Sequence, residues 1–306
     1  MENNWRSRLK EALPQGDLDI RFDEPMAKHT TFRIGGPADA LLLPGSMAEI
    51  EAALAFCKGE GVPLTVIGNG SNLLVRDGGI RGLVIRLQQN FSAFRFEGEK
   101  LFAQAGCKLG SLAEESVRRG WAGLEYACGI PATVGGAVVM NAGAYGGSLS
   151  DSLFSVRCLD EDMRLIEHRV EPGDMGYRKT IFGRRGWVVL EACFLLRKDQ
   201  EGKAREKLEH CSEQRRAKQP LNFPSAGSVF KRPEGHFAGQ LIQEAGCKGL
   251  RVGDAEVSTL HAGFIINRGH ATAQDVEALI GEVQRRVYAA SGVQLETEIK
   301  ILGEAE

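Results

Sequence analysis

The chain has 306 residues, 43% of them hydrophobic and 25% charged, with a formal net charge of −2. That length accommodates two or three domains, each with its own core, and so balanced a charge argues against nucleic acid or an anionic membrane as a general partner. No apolar run approaches the roughly 20 residues that a bilayer-spanning helix needs. The seven cysteines are scattered and contain no C-x-x-C, which describes reduced thiols rather than a disulfide scaffold or a zinc site. The six histidines are equally dispersed, so no metal site is expected.

In chain order, MENNWRSRLKEAL carries charges at helical spacing and no apolar h-region, so it reads as a short amphipathic helix and not a secretory signal. A Gly-Gly-Pro turn in TFRIGGPADALLL (31–43) precedes a short apolar strand. Ser46, with Glu49 three residues on, makes a capping box. It opens a helix with Ile50, Ala53, Leu54 and Phe56-Cys57 on one face, ending at Gly61. A strand at 63–67 leads into IGNGSNLLV (67–75), the turn Asp77-Gly78-Gly79, and LVIRL (83–87). Residues 94–105 read as two strands around a Glu-Gly turn, and 109–119 as a helix. After a glycine-rich block, 155–160 and 164–170 pair as a hairpin and 187–196 forms another strand. Residues 198–218 are highly charged with a helical period, and read as a surface helix linking two domains. Helices at 239–246 and 272–290, the second with a Thr-x-x-Asp cap, strands at 263–267 and 296–302, and a boundary near 200–215 complete the pattern. Helices alternating with short apolar strands describe α+β or α/β layers.

Five stretches could carry chemistry. The block 123–147, GLEYACGIPATVGGAVVMNAGAYGG, is built of small residues with no Lys or Arg and a single carboxylate, Glu125. Glycine admits positive φ and close approach to the main chain, and runs of exposed amides can cradle a phosphate; a tightly packed structural loop is the bland alternative. In IGNGSNLLV, Gly68 and Gly70 relieve the turn while Asn69, Ser71 and Asn72 offer short polar side chains. Neither G-x-G-x-x-G nor a P-loop is present, and a hairpin turn alone would also explain it. In YRKTIF, Arg178 beside Tyr177 could hold a carboxylate bidentately or simply sit in solvent. In PSAGSVFKRP, Ser228 lies among small residues but not in a G-x-S-x-G elbow; its hydroxyl could give a proton to a carbanion or merely cap a turn. In LETEIKI, strand alternation would put Glu296 and Glu298 on one face, buried and functional or exposed and polar.

The order of RIGGPAD (33–39), IGNGSNLLV, the 123–147 block, YRKTIF, SAGSVFKRP, HAGFIIN (261–267) and LETEIKI resembles the UDP-N-acetylenolpyruvoylglucosamine reductase family over residues 20–303, nearly the whole chain. The resemblance implies an α+β fold: a two-part FAD-binding domain of the vanillyl-alcohol-oxidase type (1–88 and 89–200) followed by a smaller α+β substrate-binding domain (201–306). It implies non-covalent FAD, held by Gly68, Asn69, Gly70, Ser71, Asn72, Gly129, Ile130, Pro131, Thr133, Gly135, Gly136, Ala137, Asn141, Gly143 and Ala144. NADPH would be co-substrate and UDP-N-acetylglucosamine enolpyruvate the substrate, met by Tyr177, Lys218, Asn222 and Lys231. Hydride would pass by way of the flavin to C3 of the enolpyruvyl group. Ser228 would give a proton to C2, with Arg178 and Glu298 stabilising the enolate-like charge. A monomer in the cytoplasm, with no nucleic-acid or membrane partner, is expected. The span 182–224 holds no tyrosine, so the chain is similar to the subgroup with the shorter loop. A covalent-flavin oxidase using Cys128, or a non-catalytic nucleotide-binding module, are the rival readings; neither requires Arg178, Ser228 and Glu298 together.

Overall fold

The computed structural model describes residues 5–14 and 18–306. The chain divides into two compact units, one of Met1–Arg21, Ala40–Asn69 and Leu83–Arg215, the other of Phe22–Asp39, Gly70–Gly82 and Arg216–Glu306. A four-stranded sheet is ordered Ile20–Pro25, Pro37–Leu42, Ile80–Arg86, Leu64–Ile67, and the chain passes from one unit to the other within the first three of these strands.

In the first unit, α1 (Trp5–Ala12) buries Trp5 and Leu9 and lies against α2 (Met47–Glu60). The first four residues of the expected N-terminal helix fall outside the described residues. Ser46 Oγ accepts from the Glu49 amide (3.2 Å), while the Glu49 carboxylate turns back to the Gly45 amide (3.0 Å) and Ser46 Oγ (2.8 Å). The cap thus reaches one residue further back than the usual box. Gly61 closes the helix at φ 65°. Ile50, Ala53, Leu54 and Cys57 are buried as the period demands, and Phe56 is half-buried.

An antiparallel five-stranded sheet is ordered Leu165–Arg169, Leu153–Leu159, Val188–Leu195, Lys100–Gln104, Phe94–Glu97. Val156, Ala192 and Ala103 stand in register across its three central strands, all fully buried. After α3 (Leu109–Arg118) the glycine-rich block forms α4 (Val134–Met140), which packs on the central strand. That helix was not legible in the block, because seven residues with two adjacent glycines give too little apolar period. Next comes α5 (Ile181–Arg185), capped by Thr180 Oγ1, which accepts from the Gly183 amide and donates to the Val139 carbonyl. The charged helix, α6 (Lys203–Lys218), is shorter than expected and buries Ala204, Cys211 and Arg215.

The second unit has a four-stranded sheet ordered Ser225–Ser228, Phe264–Asn267, Ala255–Val257, Arg251–Val252, with α7 (Ala238–Glu244) and α8 (Ala273–Ser291). One buried cluster joins Phe32, Ile34 and Leu74 to Ile242, Val276, Leu279, Val283 and Ile299, drawing on three separate stretches of chain. Thr272 and Asp275 make the full capping box on α8. The Asp77 carboxylate adds acceptors for the Ala273 and Gln274 amides (2.9 and 3.0 Å), where the helix dipole favours negative charge. Lys300–Leu302 pairs in parallel with Leu73–Val75. The expected strand over 296–302 therefore shrinks to three residues, preceded by a single bridge from Thr297 to Phe230. No helix among the described residues is long and apolar enough to cross a membrane.

Candidate active site

In the first unit the two glycine-rich stretches meet. Asn69 Nδ2 donates to the Pro131 carbonyl (2.7 Å) and Gln88 Nε2 donates to Asn69 Oδ1 (2.9 Å). Asn69 thus ties the loop to the block, a task its short amide can meet without leaving the turn. A Cβ on Gly68 would lie 2.0 Å from Thr133 Oγ1, so only glycine lets the loop pass. Thr133 is buried, and its hydroxyl has no hydrogen-bond partner among the described residues. It caps α4 by position yet makes no side-chain cap bond. A buried hydroxyl without a partner costs about 1–3 kcal/mol; one facing a glycine-lined wall is suited to a phosphate oxygen. The amides of Val134 and Gly135, by contrast, donate to the Cys107 and Ala105 carbonyls. They belong to the packing of α4, so the block is less of an open row of amides than its composition suggests. Gly129, at φ 70°, has the Arg215 side chain 2.9 Å from where a Cβ would stand.

Two cations near this wall were not legible in the sequence. Arg86 Nε donates to the Gly68 carbonyl (3.4 Å), and burial, with Arg21 nearby, lowers its pKa. The signal for it is a single arginine inside the apolar run LVIRL. Arg215 is buried beside Tyr145, Cys128 and Cys211, and burial lowers its pKa too. It looked like one more charge on a surface helix.

Arg178 stands at the tip of a two-residue hairpin joining Met175–Gly176 to Lys179–Thr180, with its backbone at φ 55°. Its Nη1 and Nη2 donate to the carbonyls of Asn141 and Gly143, 3.4 Å each, at the exit of α4. Its guanidinium lies 5.2 Å from the centre of the Tyr177 ring, which is itself exposed. The arginine is therefore held against the far end of the same block that carries Thr133.

The second unit assembles another group of expected residues. Ser228 ends its strand after a bulge at Gly227 (φ 75°), opposite Phe264. The Glu298 amide donates to the Val229 carbonyl (2.7 Å), setting Glu298 alongside the residue that follows Ser228. Asn72 Nδ2 donates to the Glu298 carbonyl (3.2 Å), and the Lys300 amide donates to that of Asn72 (2.9 Å). Asn72 is thus engaged in holding the terminal segment. Gly70 accepts from the Thr31 amide (3.4 Å), and Thr31 Oγ1 donates to the Ser225 carbonyl (2.7 Å). Lys231 pairs with Glu296 at 2.8 Å. The two glutamates flank the Thr297–Phe230 bridge; Glu296 has 73% of its side chain exposed, whereas Glu298 is partly buried. Lys218 and Asn222 are exposed.

All seven cysteines are free and buried. Burial pushes the Cys128 thiol up, helped by Glu114; a protonated, enclosed thiol is a poor nucleophile for attaching a cofactor. Among the described residues no group of three His, Cys, Asp or Glu could hold a metal.

A glycine-walled cradle whose buried Thr133 hydroxyl has no partner among the described residues suits a phosphate-bearing cofactor, and the class is that of an FAD-binding oxidoreductase with the vanillyl-alcohol-oxidase type of α+β fold. Residues 38–168 match the model of the FAD binding domain, and 219–302 that of the UDP-N-acetylenolpyruvoylglucosamine reductase C-terminal domain. The chain is 44% identical over 289 residues to UDP-N-acetylenolpyruvoylglucosamine reductase of Clostridium botulinum, covering 94% of each. It is 45% identical over 296 residues to that of Alkaliphilus oremlandii, covering 97% of each. The crystal structure of UDP-N-acetylenolpyruvylglucosamine reductase from Thermus caldophilus superposes with a TM-score of 0.79 at 36% identity, over 94% of this chain and 99% of that one. This chain belongs to the UDP-N-acetylenolpyruvoylglucosamine reductase family.

Proposed function

We propose that this chain performs the family's reaction through its own Arg178, Ser228 and Glu298: NADPH-driven reduction of UDP-N-acetylglucosamine enolpyruvate to UDP-N-acetylmuramate, in the making of peptidoglycan precursor. FAD, when bound, would supply the two-electron redox chemistry that links NADPH to C3 of the enolpyruvyl group. The residues present fit that cofactor. Gly68 leaves room at the wall, Thr133 offers a hydroxyl to a phosphate oxygen, and Asn69 fixes the loop. Gly70, Ser71 and Asn72 continue the loop, and Gly129, Ile130, Pro131, Gly135, Gly136, Ala137, Gly143 and Ala144 line the remainder of the cradle.

Arg178 holds the substrate carboxylate and spreads the charge that hydride addition drives onto it. Glu298 shares in stabilising the enolate-like charge as it develops, a preorganised electrostatic contribution. Ser228 Oγ gives its proton to C2; an enolate carbon is basic enough to take a proton from a close, oriented hydroxyl. Lys231 exchanges Glu296 for a substrate phosphate, and Tyr177, Lys218 and Asn222 contact the UDP-sugar. The observation that supports this reading is the Glu298-to-Val229 backbone bond of 2.7 Å, made at the residue that follows Ser228 in the chain. Residues 1–88 and 89–200 act as the two parts of the flavin-binding domain and 201–306 as the substrate-binding domain. The enzyme works as a cytoplasmic monomer.

The test is the anaerobic visible spectrum of the purified protein. Flavin absorbance should bleach with NADPH and return when the enolpyruvyl UDP-sugar is added. Bleached flavin that only oxygen restores would replace this substrate with an oxidase reading; a protein that binds no flavin would end the proposal.

A further inference from the structure

Asn141 was expected to touch the cofactor, but its side chain is fully engaged elsewhere. It closes α4 in the left-handed conformation, φ 44°, and is buried. Nδ2 donates to the Gly176 carbonyl (3.1 Å) and to Ser150 Oγ (3.4 Å), and Oδ1 accepts from the Ser150 amide (3.1 Å). Both amide hydrogens and the oxygen are therefore used within the protein.

One of those partners, Gly176, lies at the root of the Arg178 hairpin. Gly176 is the last residue before the Tyr177-Arg178 turn, so Nδ2 pins the base of the hairpin from which the arginine springs. The main-chain carbonyl of Asn141 then accepts from Arg178 Nη1, and that of Gly143, two residues on, from Nη2. One residue thus grips the hairpin at its root and the guanidinium at its head. At 3.4 Å each bond is long and weak alone; the planar fork is oriented because two carbonyls meet it at once. Their spacing follows from the left-handed turn at Asn141, a conformation in which asparagine is several-fold enriched among non-glycine residues.

We infer that Asn141 is a positioning residue for Arg178, fixing the guanidinium in the orientation that meets the substrate carboxylate, rather than a ligand of the cofactor. This rests on the role given to Arg178 above.

The experiment is a double-mutant cycle on the FAD-loaded enzyme, following the two half-reactions separately in stopped flow. Asn141→Gly keeps the left-handed backbone and deletes the side chain; Asn141→Asp keeps the bond to Ser150 and sets a carboxylate against the Gly176 carbonyl. Asn141→Gly should slow re-oxidation by the enolpyruvyl sugar about tenfold, leaving reduction by NADPH and the Kd for FAD unchanged. In the Arg178→Ala background the same change should cost less than about twofold, because its target is gone. Equal costs in both backgrounds would overturn the inference, as would loss of flavin affinity in Asn141→Gly, which would return Asn141 to the cofactor. If Arg178→Ala leaves re-oxidation untouched, the reading of Arg178 falls first and this inference with it. Should Asn141→Gly fail to fold, Asn141→Asp decides the cycle by the same criteria.

Discussion

Replacing Thr133 with valine separates stability from cofactor binding, because the two should move in opposite directions. Thr133 is 1% exposed, and its hydroxyl meets no protein partner among the described residues. It provides no side-chain cap to α4, so valine removes no capping bond. Valine has nearly the same shape and exchanges the hydroxyl for a methyl. Since an unpaired buried hydroxyl costs about 1–3 kcal/mol, the FAD-free protein should gain on the order of 1–2 kcal/mol. With an unfolding entropy near 2.1 cal/mol/K per residue, 1 kcal/mol corresponds in a chain of this size to about 1.5 °C. The Tm of the flavin-free variant should therefore rise by roughly 1.5 to 3 °C. Affinity for FAD should fall tenfold to a hundredfold, because a hydrogen bond to a charged group contributes about 1.5–3 kcal/mol. Differential scanning fluorimetry on stripped protein and a fluorescence titration with FAD read the two quantities. A lower Tm with unchanged FAD affinity would show that the hydroxyl serves the fold, and would remove Thr133 from the cofactor site.

Three further outcomes follow from particular contacts. Ser228→Ala should slow flavin re-oxidation by the enolpyruvyl sugar by about a hundredfold or more, while NADPH reduces the flavin at the original rate; stopped flow at both steps checks this. Asp77→Ala strips two amides at the start of α8 of their acceptor and should cost about 1–2 kcal/mol, seen as a lower urea midpoint with an unchanged slope. Burial pushes the Cys57 and Cys107 thiols up from 9.0 to about 11, and Cys158 to about 12. The unfolded chain gives up these protons near the ordinary thiol value, so the folded state binds more of them from pH 9 upwards. Their stabilisation is complete below that pH and is lost as pH rises through 11 to 12. Urea midpoints should fall across that window, and Cys158→Ala should flatten the decline.

Elements whose beginnings and ends are written in local chemistry were legible: Ser46 and Gly61 around α2, Thr272 and Asp275 on α8, the hairpin around Glu161-Asp162. Arg178, Ser228 and Glu298 could be singled out from motif order, since each sits in a short string of unusual composition. What stayed hidden depends on long-range contacts. Nothing in LETEIKI says that its ladder partner is Leu73–Val75, so the strand looked longer than it is. Arg215 looked solvent-facing because α6 is charged nearly all round, yet the space above Gly129 takes it in. Asn141 looked like a polar member of a phosphate loop, and only the fold reveals that Gly176 and Ser150 consume its amide.

The second unit is stitched from Phe22–Asp39, Gly70–Gly82 and Arg216–Glu306, which limits how the protein can be dissected. Residues 219–302 match a family domain, and it would be natural to express them alone. Such a fragment would lack Phe32, Ile34 and Leu74 from its core, the Asp77 carboxylate on α8, and the strand that pairs with Lys300–Leu302. Glu298 would lose the Asn72 side chain that reaches it across 226 residues of sequence. The fragment would bare apolar surface and an unpaired strand edge, the ingredients of aggregation. The boundary recognised in sequence is therefore one of descent and not of autonomous folding, and ligand-binding studies need the full chain.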